Sequence, residues 1–224
     1  MHENLYKLFR LQCADLLVLA DMEYNGMVYH TEAALAEAVR LQEEIDRLIR
    51  NFHSLVNSDI PSIGSSDDIS AVLYGGVVEE TISVPIGHYK TGARKGEVKY
   101  KNETVEHTFP RLVDPLKDTE TKKNKDGGKE TWSVSEDVLL KLKATKEGKK
   151  LVKCILEYRQ TEKLRGTYLQ GWANLIEKCH WDKDMIHGNL NQCVAVTGRL
   201  ASDKPNLQNA NKAVKKFLGS RYDN

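Results

Sequence analysis

The chain has 224 residues, of which 40% are hydrophobic and 29% are charged, and its formal net charge at pH 7 is +1. This composition is ordinary for a soluble protein, and the length allows one or two domains with cores of their own. No apolar run is long enough to span a membrane, and the N-terminus lacks the profile of a signal peptide. We therefore expect a cytoplasmic protein with no membrane partner.

The N-terminal part of the chain predicts a helical hairpin over residues 1–56. The stretches "LYKLFRLQCADLLVLADMEYNG" and "TEAALAEAVRLQEEIDRLIRNF" carry apolar residues near helical spacing. Gly26 is a natural end for the first helix, and Thr31 can cap the second. Farther on, "DDISAVLYGG" predicts a short helix.

Residues 81–130 have a different residue pattern, which predicts a β-ribbon with a basic loop. "ETISVPIGHYKTG" and "GEVKYKNETVEHTF" contain β-branched and aromatic residues in partial alternation, which is typical of strands. The loop "KDTETKKNKDGGKET" is charged and cannot bury much, which indicates a mobile segment.

Helical patterns return after the loop. Ser133 and Glu136 fit a capping box before "SVSEDVLLKLKA". The longest helical pattern is "KKLVKCILEYRQTEKLRGTYLQGWANLIEK", with glycines at 166 and 171, and "IHGNLNQCVAVTG" then indicates strand and turn. The predicted fold class is mainly α, of the α+β type.

Charge is unevenly distributed along the chain. Acidic side chains outnumber basic ones in residues 1–80, and basic ones outnumber acidic ones from residue 81 onwards. This asymmetry suggests one face for a polyanion, although an ordinary solvated lysine-rich surface gives the same pattern. The four cysteines and seven histidines are dispersed, with no spacing typical of a zinc site.

Two groups of residues are candidates for binding. Arg159 and Lys163 lie four apart on one helix face, with Arg165 nearby, where they can meet solvent, pair with Glu162 or contact phosphates. In the segment "VTGRLASDKPNLQN", Gly198 is followed by Arg199 and then by several residues with side-chain amides. Those amides can bind base edges or sugars, or they can satisfy the backbone of an Asx-rich turn.

The same segments carry a resemblance to a known family. "TGRLASDKPNLQN" resembles the Thr-Gly-Arg-Leu-Ser-Ser and Pro-Asn-Leu-Gln-Asn motif of family A DNA polymerases, with Ala201 where the family usually has serine. "ILEYRQTEKLRGTY" and "LLVLADMEYNGMVY" resemble two further segments of that family in the same order. The likeness is strongest over 154–209 and weakest over 81–130, which indicates a phage-type member.

The resemblance implies a division of the chain and a DNA-binding role. Residues 1–56 would be a hairpin that follows an absent exonuclease domain, 57–180 the thumb with the insertion at 81–130, and 181–224 the start of the palm. Arg199 would reach the minor groove at the primer terminus. The complete set of residues implied to bind primer–template duplex is Arg159, Lys163, Arg165, Thr197, Arg199, Asn206, Gln208 and Asn209.

The resemblance also implies a DNA-directed DNA polymerase whose chemistry lies elsewhere. The family's two Mg²⁺ ions are held by palm aspartates in motifs that would come after Asn224, so we expect no cofactor and no catalytic or metal-binding residue in this chain, and no polymerase activity from it alone. The expected partners are the primer–template duplex and the remaining C-terminal half of the polymerase. The alternatives are a stand-alone non-catalytic DNA clamp or accessory subunit, and a helical interaction protein with a fortuitous match.

Overall fold

The computed structural model describes residues 2–92, 94–117, 120–121, 131–192 and 194–222, with only the backbone described for His2, Glu120 and Thr121. About 51% of the chain is helical and the sheets are small, so the predicted α+β class is confirmed. The helices are α1 (His2–Asn25), α2 (Thr31–Val56), α3 (Ser66–Tyr74), α4 (Glu136–Lys141), α5 (Lys146–Glu162), a π-helix (Lys163–Gln170), α6 (Gly171–Lys178), a 3₁₀ turn (Leu207–Asn209) and α7 (Lys212–Lys215).

The strands are short except for one pair. They are β1 (Met27–Tyr29), β2 (Gly76–His88), β3 (Val98–Phe109), β4 (Glu120–Thr121), β5 (Thr131–Trp132), β6 (Met185–Ile186), β7 (Asn189–Asn191), β8 (Ala201–Asp203) and β9 (Leu218–Gly219). All pairings are antiparallel: β6-β1-β9 form one sheet, and β2-β3, β4-β5 and β7-β8 form two-stranded ribbons. Of the charged loop predicted over 117–131, residues 118–119 and 122–130 lie outside the described residues.

The chain divides into two compact units. The first contains residues 1–45 and 160–224, and the second contains residues 46–159. These units do not test the assignment of residues to thumb and palm, which stays a prediction. Within the described part of the chain, no helix is both long and apolar enough to cross a membrane.

The core of the first unit gathers residues from both ends of the chain. Tyr29 of β1 is fully buried, and its ring meets Trp172 of α6 edge to face with centroids 5.7 Å apart. The other buried members come from α2, the π-helix, α6, β6 and the C-terminal segment, namely Ala34, Ala38, Leu41, Tyr168, Leu169, Ile176, Ile186, Ala210, Val214 and Phe217. This packing sets the C-terminal turns against the π-helix.

The core of the second unit is built around α3 and the apolar face of α5. Its buried residues are Leu48, Phe52, Ile63, Ile69, Val72, Leu73, Tyr74, Val113, Val134, Leu139, Leu151, Val152, Cys154 and Ile155. The apolar spacing in α2 and α5 brings these side chains to one side of each helix.

The predicted helix starts are partly wrong. Thr31 lies inside α2, and its hydroxyl donates to the Tyr29 carbonyl. The capping box at Ser133 and Glu136 is also wrong: α4 starts at Glu136 after Ser135, whose side chain makes no capping bond. The short helix α3 has the capping serine instead, because the Ser65 hydroxyl accepts from the Asp68 amide at 3.2 Å.

The predicted break at the two glycines is a change of helix type. Residues 163–170 are π-helical, and the Gly171 amide donates to the Gly166 carbonyl five residues back. A methyl group at Gly171 would lie 2.9 Å from that carbonyl oxygen, so the wider turn requires glycine there.

Candidate nucleic-acid interface

The turn that precedes β8 presents Arg199. Gly198 has φ +69°, a left-handed conformation that glycine adopts without strain, and its amide donates to the Ala195 carbonyl at 2.9 Å. Thr197 and Arg199 on either side are exposed. Among the residues that the structure describes, Arg199 has no ion-pair partner. Its guanidinium fork is therefore open to an external acceptor.

The amide run lies next to this turn and is held by its own backbone. The Asn206 side-chain oxygen accepts from the Asn209 amide at 3.2 Å, and the Gln208 side chain donates to the Leu200 carbonyl at 3.1 Å. The Asx-turn alternative thus describes Asn206. Because Leu200 follows Arg199, the Gln208 bond brings the two predicted groups together.

A buried serine supports the amide run from beneath. Ser202 is 5% exposed, and its hydroxyl donates to the Pro205 carbonyl and accepts from the Leu207 amide, both at 3.3 Å. The sequence reasoning missed this residue. Its position in the Thr-Gly-Arg-Leu-Ser-Ser pattern, where Ala201 takes the place of the other serine, was the available signal.

The π-helix connects to the same turn. The Tyr168 hydroxyl donates to the Asn209 carbonyl at 3.1 Å, and the Tyr29 hydroxyl donates to the carbonyls of Tyr168 and Leu169 at 3.3 and 3.0 Å. Burial raises the pKa of Tyr29, so this hydroxyl keeps its proton. These bonds fix the amide run against the helix that carries Lys163.

The two predicted cations on the π-helix differ in their surroundings. Lys163 is exposed and has no ion-pair partner within the described ranges. Arg165 donates to the Glu162 carboxylate at 2.9 Å and to the Gln170 side-chain oxygen at 3.0 Å. The pairing with Glu162 that the sequence left open is thus present, and Lys163 is the more available contact for a phosphate.

Arg159 lies in the second unit, in a cleft of about 360 Å³. One of its guanidinium nitrogens donates to the Val134 carbonyl, and burial lowers its pKa from the usual value, although an arginine at neutral pH remains charged. The cleft is also lined by Ser66, Asp67, Trp132, Ser133 and Ser135.

Two of these serines form part of an unanticipated polar wall. The Ser133 hydroxyl donates to the Ser135 hydroxyl at 3.4 Å, and the Ser133 carbonyl accepts from the buried Tyr74 hydroxyl at 3.1 Å. From local sequence Ser133 is predicted to cap a helix, and nothing in the local pattern indicates this arrangement. A guanidinium beside two hydroxyls is a donor set suited to a phosphate, with the Asp67 carboxylate as an opposing charge in the same lining.

A metal site would need a group of ligating side chains in the described part of the chain. Within the described residues, no three His, Cys, Asp or Glu side chains come together in a group that could hold a metal ion.

The fold resembles that of a solved polymerase domain. The POL domain of Pol1 from M. smegmatis, in complex with a DNA primer-template and dNTP, matches with a TM-score of 0.52 and 20% sequence identity over 89% of this chain and 27% of that chain. At this identity the likeness concerns the fold alone.

The sequence matches the family model of DNA polymerase family A over residues 106–219. The chain therefore belongs to DNA polymerase family A. DNA polymerase I of Geobacillus stearothermophilus is 28% identical over 192 residues, which is 86% of this chain and 16% of that protein. DNA polymerase I of Bacillus subtilis is 44% identical over 88 residues, or 39% of this chain and 9% of that protein. The chain thus spans a small part of the length of these relatives.

Proposed function

We propose that these residues form the thumb and the leading edge of the palm of a DNA-directed DNA polymerase and bind primer–template duplex during replication. Membership of family A supports the class, and the fold neighbour is a polymerase domain in complex with a DNA primer-template. The phage-type assignment and the cytoplasmic location stay predictions.

The observation that carries the proposal is the position of Arg199 beside the amide run. Its fork is exposed, and the Gln208 bond holds the neighbouring backbone in place. Purine N3 and pyrimidine O2 acceptors occur in the minor groove at every base pair, so donors placed there sense pairing geometry without reading sequence. We assign to Thr197, Arg199, Asn206, Gln208 and Asn209 this role along the minor groove.

A second set of contacts goes to phosphates. In the second unit, the half-buried Arg159 shares its cleft with the Ser133 and Ser135 hydroxyls. In the first unit, Lys163 is exposed, and Arg165 keeps donors beyond those used by Glu162 and Gln170. Such contacts are independent of sequence and release counterions, so they make binding depend on salt.

The chemical step belongs to carboxylates that these residues do not supply. We expect no primer extension from the 224-residue chain in a reaction with Mg²⁺ and all four nucleotides. Extension that co-purifies with the chain through successive columns would contradict this assignment.

The binding proposal is tested by titrating a fluorescent primer–template with the 224-residue chain at several salt concentrations. We expect weak binding without sequence preference. Lys163→Ala should reduce the slope of log affinity against log salt by about 1, as expected for a lost phosphate contact. The matched control is Lys178→Ala, an exposed lysine at the end of α6. Affinity that ignores salt would refute a phosphate-dominated interface.

Ser135→Ala tests the cleft separately. Ser135 is exposed, its side chain makes no capping bond, and its hydroxyl accepts a long bond of 3.4 Å from Ser133, so its removal should leave the free energy of unfolding nearly unchanged. It should weaken duplex binding in proportion to one lost hydrogen bond to a charged group, roughly 1.5–3 kcal/mol. Unchanged affinity in this variant would remove the cleft from the interface while leaving the Arg199 turn.

A further inference from the structure

The ribbon β2-β3 extends beyond the core of the second unit. Val78 is buried at its root, but no described residue from Glu79 to Thr108 is buried. With strands of 13 and 12 residues, the ribbon is about 40 Å long at 3.4 Å per residue. An isolated two-stranded ribbon is marginally stable in water, so most of this element is presented to solvent without core packing to support it.

Charge is polarised along the ribbon. The half near the root carries the acidic residues Glu79, Glu80, Glu103 and Glu106. The tip, which we define as residues 88–92 and 94–101, carries the basic residues Lys90, Arg94, Lys95, Lys99 and Lys101. The single acidic residue of the tip, Glu97, forms an ion pair with Arg94 at 2.7 Å. Scattered charges would be enough to prevent an exposed strand edge from pairing with another strand. The separation into an acidic and a basic half therefore indicates an anionic partner for the basic end.

The cations of the tip lie in β3 and in the segment that connects β2 to β3. Lys99 pairs across the ribbon with Gly87, and Lys101 pairs with Val84, so the two lysines share a face at alternate positions of β3. Lys90 follows β2, and Lys95 lies in the turn. Lys90, Lys95 and Lys99 are exposed, and none has an ion-pair partner in the part of the chain that is described.

The same tip carries two aromatic side chains, one of which contacts a cation. The Arg94 guanidinium lies 4.8 Å from the centre of the Tyr89 ring, and the Tyr89 backbone bonds to Glu97 and Gly96 across the turn. Tyr100 is 58% exposed. The tip is thus a positively charged finger in which backbone hydrogen bonds at Tyr89 join the two arms.

The geometry points to the tip of this ribbon as a separate contact for double-stranded DNA, in which the finger enters a groove and its lysines bind phosphates on either side. This inference rests on the proposed function and adds a site distinct from Arg159 and Arg199. The major groove is about 12 Å wide and admits a two-stranded β-ribbon. Lys90 on the arm that leaves β2 and Lys99 on β3 place cations on both arms of the finger, towards the two phosphate walls. The competing explanation is that the lysines only prevent edge-to-edge pairing of strands.

The test compares the wild-type 224-residue chain with the triple variant Lys90→Gln, Lys95→Gln, Lys99→Gln. Three lost phosphate contacts should reduce the slope of log affinity against log salt by about 2.7. The ratio of wild-type to variant duplex affinity should therefore fall about 40-fold as the salt concentration rises from about 50 to about 200 mM. The matched control neutralises three exposed lysines of the first unit, Lys7, Lys178 and Lys183. Circular dichroism should show equal folding of all three proteins.

Crosslinking provides a second readout that does not depend on charge. With p-benzoylphenylalanine at Tyr100, irradiation should capture duplex DNA, whereas the same group at Tyr24, which is 81% exposed on α1, should not. If the wild type binds duplex but the triple variant keeps its slope and Tyr100 captures nothing, the ribbon inference is overturned and the proposed function stands. If the wild type shows no duplex binding, the proposed function fails as well.

Discussion

Replacing Arg199 with alanine tests whether this residue positions the primer end rather than contributing to general duplex affinity. Arg199 is exposed, and its turn is held by the Gly198 amide and the Gln208 bond, neither of which uses the guanidinium. The substitution therefore leaves no buried polar group unpaired, and the free energy of unfolding should change by less than about 0.5 kcal/mol.

The kinetic effect should be much larger than the effect on stability. A charge-assisted hydrogen bond to the primer-terminal base pair is worth roughly 1.5–3 kcal/mol, which is on the order of a tenfold to hundredfold loss in extension rate. The loss should fall on the rate because the proposed bond would align the primer end for attack. The measurement is single-turnover extension by the polymerase that contains these residues, with duplex affinity measured in parallel.

The Lys163→Ala variant serves as the contrast, because a phosphate contact should act mainly on affinity and on its salt dependence. A primer base analogue that lacks the minor-groove acceptor removes the same bond from the DNA side. Its defect should not add to that of Arg199→Ala. Full additivity would refute the reasoning and leave Arg199 as a structural brace of its turn.

Three further predictions concern the first unit. Tyr29→Phe removes the donor shared by two π-helical carbonyls, so chemical denaturation should show a loss of about 1–3 kcal/mol. Gly171→Ala places a methyl group 2.9 Å from the Gly166 carbonyl oxygen and should cost about 1–3 kcal/mol in the same assay, whereas Gly166→Ala, whose nearest neighbour is a flexible carboxylate at 3.3 Å, should cost less. The hydrogen bond from Arg40 lowers the pKa of Glu37 to about 2, so the stabilisation by this carboxylate is present above about pH 4.5 and is lost as the pH falls towards 2. Urea midpoints should therefore fall less over that pH range in Glu37→Gln than in the wild type, and parallel curves would contradict this.

Features that depend on neighbouring residues were predictable from the sequence. The helices α1 and α2 follow from apolar spacing, and the β2-β3 ribbon follows from β-branched residues around a glycine-containing turn. The motif around Arg199, with two further segments in the same order, indicated the polymerase family, because a long ordered pattern of residue types is specific even without structural information. The strand boundaries were less accurate, since the ribbon starts at Gly76 rather than at residue 81.

Features that depend on residues distant in the sequence were decided only by the tertiary structure. The Arg159 cleft requires the Val134 carbonyl, 25 residues away, and the hydroxyl of Ser133, which local pattern alone assigned to a helix cap. The π-helix is held by Tyr29 from 140 residues away, and no local propensity specifies that bond. Chain segments this far apart meet because burying their apolar faces together is favourable, and the polar contacts of the site are set by where that packing places them.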